Sequence, residues 1–159
     1  MACGGRALRY LTAAYEQNRQ VSQAFSAKIL ETGEAARRMN ETLSQLKYRI
    51  TALEKQIFVS IAQGYAGKGE VLHFGENLDS TGIRELADAI ADTCGGTAAV
   101  FSGADGEGYG YCLVTRSGDL RAFGKEMNGA LNGRGGGKPI CIQGRVQASK
   151  TDIQAFFHR

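Results

Sequence analysis

Positive charge and bare backbone coincide in one stretch of this chain. It runs Asn128-Gly129-Ala130-Leu131-Asn132-Gly133-Arg134-Gly135-Gly136-Gly137-Lys138-Pro139, with Gln143-Gly144-Arg145 just behind it. Gly133, Gly135, Gly136 and Gly137 surround one arginine, and Pro139 is the only proline in the chain. Glycine accepts positive φ and lets backbone N–H groups approach a ligand closely. A run of such residues can form a nest of donors that holds an anion. Arg134 and Lys138 add two full positive charges beside those donors. The expected chemistry is phosphate contact by a loop; the competing expectation is a flexible turn. Arg145 and Lys150 extend the basic stretch, and no acid falls between residues 134 and 150. Arg116 and Arg121 are candidates to flank it. For Arg116, Arg121, Arg145 and Lys150 the plainer reading is an ordinary solvated surface.

Two sharper phosphate motifs fail here. A P-loop needs Gly-x-x-x-x-Gly-Lys-Ser/Thr, but Gly137-Lys138 is followed by Pro139 and the first glycine position is Asn132. The dinucleotide fingerprint would end on Lys138 where its last glycine belongs, and a helical pattern precedes it instead of a strand. Nucleotide hydrolysis and dinucleotide redox chemistry are therefore poorly supported. Cys3, Cys94, Cys112 and Cys141 form no Cys-x-x-Cys pair, and only His73 and His158 could assist them. That spacing argues against a zinc site. The two histidines are isolated and are expected to be structural or on the surface. No catalytic residue is expected in this chain.

Behind the basic stretch lie the elements that must position it. At 159 residues the chain fits one domain, or a small domain with an extension. Its formal charge is only +3, so bulk charge does not force a nucleic-acid reading. No apolar run is long enough to cross a membrane, and no signal peptide is read at the start. Scattered thiols without such a signal fit a reducing cytoplasm.

Residues 6–63 hold no proline and one glycine, Gly33, among good helix formers. Apolar residues recur there at steps of three and four. One frame carries Ala36, Leu43, Ile50 and Ile57; the other carries Met39, Leu46 and Leu53. That is a heptad seam over about three repeats. Glu31-Thr32-Gly33-Glu34 interrupts it, which predicts helices near 5–30 and 34–63, with one kinked rod as the alternative. The seam must be covered. An intrachain helical hairpin and pairing with a second copy are both expected solutions, and Met39, Leu43, Leu46, Ile50, Leu53 and Ile57 are the candidate dimer contacts.

Residues 64–159 read as an α/β (α+β) domain. Gly64, Gly67 and Gly69 end the arm. A strand is expected at 70–74, a helix at 82–91, a hairpin of strands at 97–102 and 109–115, and a helix at 120–131. The glycine loop comes next, then a short strand at 140–142 and a helix at 150–157. This order gives a small mixed sheet with helices packed on it.

The spacing of Gly133-Arg134-Gly135-Gly136-Gly137-Lys138-Pro139 to Gln143-Gly144 resembles the signature of the DHH-associated domain. That domain occurs at the C-terminus of alanyl-tRNA synthetases, in long AlaX-type alanyl-tRNA editing proteins and in DHH-family phosphoesterases. The tail from Gln143 to Ser149, with Ile153-Gln154-Ala155-Phe156-Phe157, looks more like the editing proteins. Cys3-Gly4-Gly5-Arg6-Ala7-Leu8 resembles the last strand-to-helix turn of an editing domain, and the helical arm resembles its connector. The resemblance implies a fragment whose parent hydrolyses serine or glycine from alanine tRNA, or ligates alanine to it. It also implies a zinc site in an editing domain outside this chain. The editing motifs His-x-x-x-His and Cys-x-x-x-His are absent here, as is Asp-His-His, so no cofactor is expected in the chain itself. What the resemblance leaves is tRNA binding, with alanine tRNA as the implied partner. Gly133, Gly135, Gly136 and Gly137 would present donors, Arg134 and Lys138 would meet phosphates, and Gln143 would position the loop or touch RNA, with Gly144 behind it. The alternatives are a purely structural dimerisation module and a small phosphate- or nucleotide-binding domain.

Overall fold

The computed structural model describes residues 4–158. Cys3, which begins the turn likened to an editing domain, lies outside them. The chain divides into two compact units, residues 1–51 and 52–159.

The first unit holds α1 (Gly4–Ala24), a single 3₁₀ turn (Ile29–Glu31) and the opening of α2 (Thr32–Gln63). The interruption exists, but it lies at residues 25–31, ahead of the position expected. Ser26 takes the left-handed conformation, with φ 49°. Asn18 donates from Nδ2 to the Ile29 carbonyl (3.1 Å) and accepts at Oδ1 from the Thr32 hydroxyl (3.0 Å), which ties α1 to the turn. Gly33 falls in the first turn of α2 rather than between helices. There its N–H has no intrahelical partner to lose. The seam residues Met39, Leu43, Leu46, Ile50, Leu53 and Ile57 are between 45% and 57% exposed. The intrachain hairpin expected as one way to cover them is therefore not formed.

The second unit is a five-stranded mixed sheet with helices on both faces. Its strands are β1 (Gly69–Gly75), β2 (Gly95–Ala104), β3 (Gly108–Thr115), β4 (Gly133–Lys138) and β5 (Cys141–Val146). Their order in the sheet is β1-β2-β3-β5-β4. β1 and β2 are parallel, joined through α3 (Ser80–Cys94); every other pairing is antiparallel. The sheet has one strand more than expected, because the glycine run is itself β4. The last expected strand is also longer, reaching Val146.

Period-two alternation divides the strands between two cores. On one face Val71, Ala98, Val100, Cys112 and Val114 meet Ile83, Leu86, Ala87 and Ile90 of α3, together with Phe58 and Ala62 from the end of α2. On the other, Ala99, Phe101, Tyr111, Leu113, Ile142 and Val146 meet Met127 of α4 (Arg121–Ala130) and Ile153 and Phe156 of α5 (Lys150–Phe157). Thr93 of α3 donates to the Ala62 carbonyl (2.9 Å), which fixes the end of α2 to this unit. Expectation placed the start of the globular part at 64. The compact unit begins at 52 because Phe58 and Ala62 belong to its core.

Both well-formed caps follow from sequence. Asp79 accepts from the Gly82 N–H (2.7 Å) at the start of α3. Ser149 and Asp152 form a reciprocal capping box at the start of α5.

Candidate functional site

The glycine run is not a loop and forms no nest. Residues 133–138 are extended and paired with β5 as the outermost strand of the sheet. None of Gly133, Gly135, Gly136 or Gly137 has a positive φ, which a nest requires. The reason these positions are glycine is mostly steric. A Cβ on Gly133 would meet Asn128 and Val146; on Gly137 it would meet the Cys141 carbonyl. Gly135, Gly144 and Tyr111 stand in register across three strands. The Tyr111 ring reaches across both glycines, and a Cβ on either would strike its phenol oxygen. That phenol donates to Asn128 Oδ1 at 2.9 Å. Burial raises its pKa, so the O–H is retained for this bond.

Gly136 is different. Its absent side chain would meet nothing within 4 Å, and its backbone needs no special conformation. It faces the same side of the sheet as α3, but beyond the strands on which α3 packs, which are β1, β2 and β3. Residues directly opposite on antiparallel strands share a face. Gly136 opposes Gln143, Arg134 opposes Arg145, and Lys138 opposes Cys141. The open face of β4 and β5 therefore carries Arg134, Lys138, Gln143 and Arg145 around one bare stretch of backbone. Arg134, Gly136, Lys138, Gln143 and Arg145 thus share one surface, whereas Gly133, Gly135, Gly137 and Gly144 face the other side of the sheet.

The electrostatics of this face are one-sided. Two arginines stand directly across from each other, an arrangement that destabilises a strand pair unless an anion lies between them. Among the described residues no carboxylate pairs with Arg134, Lys138 or Arg145. Arg145 donates from Nη2 to the Glu107 carbonyl at 2.7 Å, which holds its guanidinium against the β2–β3 turn without neutralising it. Beside this face Cys112 and Cys141 bring their sulfurs to 3.8 Å. Burial, then the neighbouring Cys141, pushes the Cys112 thiol well above its ordinary pKa. It is a packed thiol, with no nucleophilic character.

The remaining candidates lie elsewhere. Arg116 forks onto Asp88 (3.1 Å) and Asp92 (2.7 Å) of α3. Arg121 pairs with Asp119 at 2.6 Å and lines a groove beside α4 with Lys125, Asn128 and Gly133, which the edge residues Arg134 and Gly136 also border. Lys150 opens α5; its N–H bonds Asp105 at 2.8 Å and its ammonium sits 4.9 Å from the centre of the Phe74 ring. Sequence reasoning missed Tyr111, Glu107 and Lys125. The pairing register brings Tyr111 to the strand pair and the β2–β3 turn brings Glu107 against Arg145, and no local pattern displays either. Among the described residues no three His, Cys, Asp or Glu side chains are grouped to hold a metal ion. No helix among them is long and apolar enough to cross a membrane.

Residues 54–159 match the DHHA1 domain family. This chain belongs to that family. The resemblance carried by the glycine signature is borne out, and so is the α+β architecture. Among solved structures, the DHHA1 chain is similar to the C-Ala domain from Aquifex aeolicus alanyl-tRNA synthetase. The two share 20% identity at a TM-score of 0.45, over 55% of this chain and 87% of that one. No curated protein matches the chain.

Proposed function

We propose that this DHHA1 domain binds structured RNA of the tRNA class, and that it does so through the open face of β4 and β5. The observation that carries the reading is the like-charged pair Arg134–Arg145 beside Gly136, whose bare backbone no packing requirement explains. Such a surface suits a sugar–phosphate backbone: charges meet phosphates, and the missing side chain lets the chain come close. Alanine tRNA is the partner that the glycine signature suggests. The parent is then an alanyl-tRNA editing protein or a synthetase, with its active site outside this chain.

The test is fluorescence anisotropy with labelled alanine tRNA at two salt concentrations. Each lost phosphate contact should lower the salt dependence of binding by about 1 in the log–log slope. Arg134→Ala with Lys138→Ala should therefore weaken binding and flatten its response to salt. Unchanged affinity and slope in that double variant would remove the face from the binding site.

A second part of the reading concerns the arm. The exposed seam on α2 supports pairing with a second copy, since an apolar stripe of this length needs cover. If the chain only dimerised and oriented its parent, tRNA affinity would survive loss of residues 64–159.

A further inference from the structure

The open face of β5 does not end at Arg145. It runs into a cleft of about 670 Å³ between the start of α3 and the tip of the β2–β3 hairpin. That volume falls within the range of small-molecule sites, roughly 300–1,000 Å³. We infer that this cleft receives one unpaired nucleobase of an RNA whose backbone lies on β4 and β5, an inference that rests on the RNA reading of that face.

Three observations point to a base rather than another phosphate. The first is charge. The strand surface at Arg134 and Lys138 is cationic, whereas the charged residues lining the cleft are one acid, Glu107, and one base, Arg145. A carboxylate repels a phosphate but accepts from the amino and imino groups of a base edge. The second is unused hydrogen-bonding capacity. Among the described residues the side chains of Asn77, Ser80 and Glu107 make no hydrogen bond, and the Gln143 amide makes only a long contact of 3.8 Å to Cys141 Sγ. Their donors and acceptors surround an apolar wall formed by Ile83 and Leu78. A few placed polar groups on an apolar wall is the composition of a site for a flat, polar-edged ligand.

The third is Arg145 itself. It belongs to both surfaces, and its bond to the Glu107 carbonyl holds the guanidinium at the junction. One guanidinium plane can stack on a base while its remaining N–H groups meet the adjoining phosphate. A nucleotide turned out of its stack would thus place its phosphate over β4 and β5 and its base in the cleft. Duplex RNA has no base free to enter. Single-stranded ends, bulges and loops do, and these are the parts of RNA whose base edges proteins reach.

The experiment compares two labelled RNAs of equal phosphate number on the full chain: a blunt duplex, and a duplex with a single-stranded 3′ end. Stacking and edge contacts predict about tenfold tighter binding of the second. Ser80→Trp, which fills the cleft from an exposed position, should bring the two affinities together. Glu107→Ala should also narrow the ratio, since it removes the carboxylate and keeps the carbonyl that holds Arg145. Circular dichroism and thermal melting establish that each variant is folded; should Ser80→Trp fail there, Glu107→Ala decides. Equal affinities in the unaltered chain, both weakened by Arg134→Ala with Lys138→Ala, would overturn the cleft while leaving the strand surface standing. A preference that persists in folded variants would overturn it as well. Failure of both RNAs to bind would overturn the two readings together.

Discussion

The neighbouring glycines Gly135 and Gly136 have opposite reasons for lacking a side chain. Gly135 faces Tyr111 and the β5 backbone, so a methyl group there must displace a buried phenol and its bond to Asn128. Overpacking of this kind costs about 1–3 kcal/mol. Gly136 faces open space. Replacing it by alanine should leave stability unchanged or raise it slightly, because the unfolded chain loses freedom. Denaturant unfolding of Gly135→Ala and Gly136→Ala should separate the two clearly. RNA affinity should then fall in Gly136→Ala although its fold is intact. A Gly135→Ala variant as stable as the parent would mean that Tyr111 does not press on the backbone at this position.

This contrast also marks how far the sequence could be read. The residues of the basic face were legible as a set, because glycine, arginine and lysine at that spacing form a family signature. Their conformation was not. Glycine has poor strand propensity, and a run of it reads as a turn until its partner strand is known. Pairing with β5 supplies what local preference withholds. The alternation of β4, with Gly133, Gly135 and Gly137 on the side of α4 and Arg134, Gly136 and Lys138 on the open side, follows only from that pairing.

Among the elements, α2 is the one whose heptad pattern and helical structure agree most closely, and its exposed seam supports the proposed pairing with a second copy. Its heptads place Ile50 and Ile57 at one seam position and Leu46 and Leu53 at the other, the combination that favours two parallel strands. Parallel, in-register pairing sets Arg49 of one copy beside Glu54 of the other, twice per dimer. An antiparallel pairing that matches the same layers sets Arg49 against Arg49 and Lys47 against Lys47. Electrostatics therefore add to the seam in favour of the parallel form. Glu54→Arg should weaken self-association, and adding Arg49→Glu should restore it. Sedimentation equilibrium of the single and double variants measures this directly. Recovery in the double variant is the decisive outcome, since an antiparallel dimer would not be rescued by the exchange. The break falls earlier than expected because α2 already begins at Thr32, and the left-handed Ser26 makes the turn.

At the scale of the whole molecule, the end of α2 serves two surfaces at once. Leu53 and Ile57 stand out on the seam, while Phe58 and Ala62 are buried in the core under α3. Heptad counting registers the first pair and hides the second, which is why the glycines at 64, 67 and 69 looked like the domain boundary. A chain cut before residue 52 should keep a complete core. A chain cut before residue 64 loses Phe58 and Ala62, and removing a buried Phe alone costs about 3–5 kcal/mol. For a unit of this size that corresponds to a melting temperature lower by about 10–20 °C. The 52–159 chain should also be monomeric, having lost Met39, Leu43, Leu46 and Ile50 from the seam, whereas the intact chain is expected to pair. Its RNA surface would be whole but single. Affinity for an RNA that two copies engage together should fall, and affinity for one too short to span them should hold, because only the first depends on linkage of the two sites. Thermal melting, light scattering and anisotropy on the two truncations test the steps in order. Equal stability of the two chains would place Phe58 and Ala62 outside the core, and equal loss on short and long RNA would mean that the arm itself touches RNA.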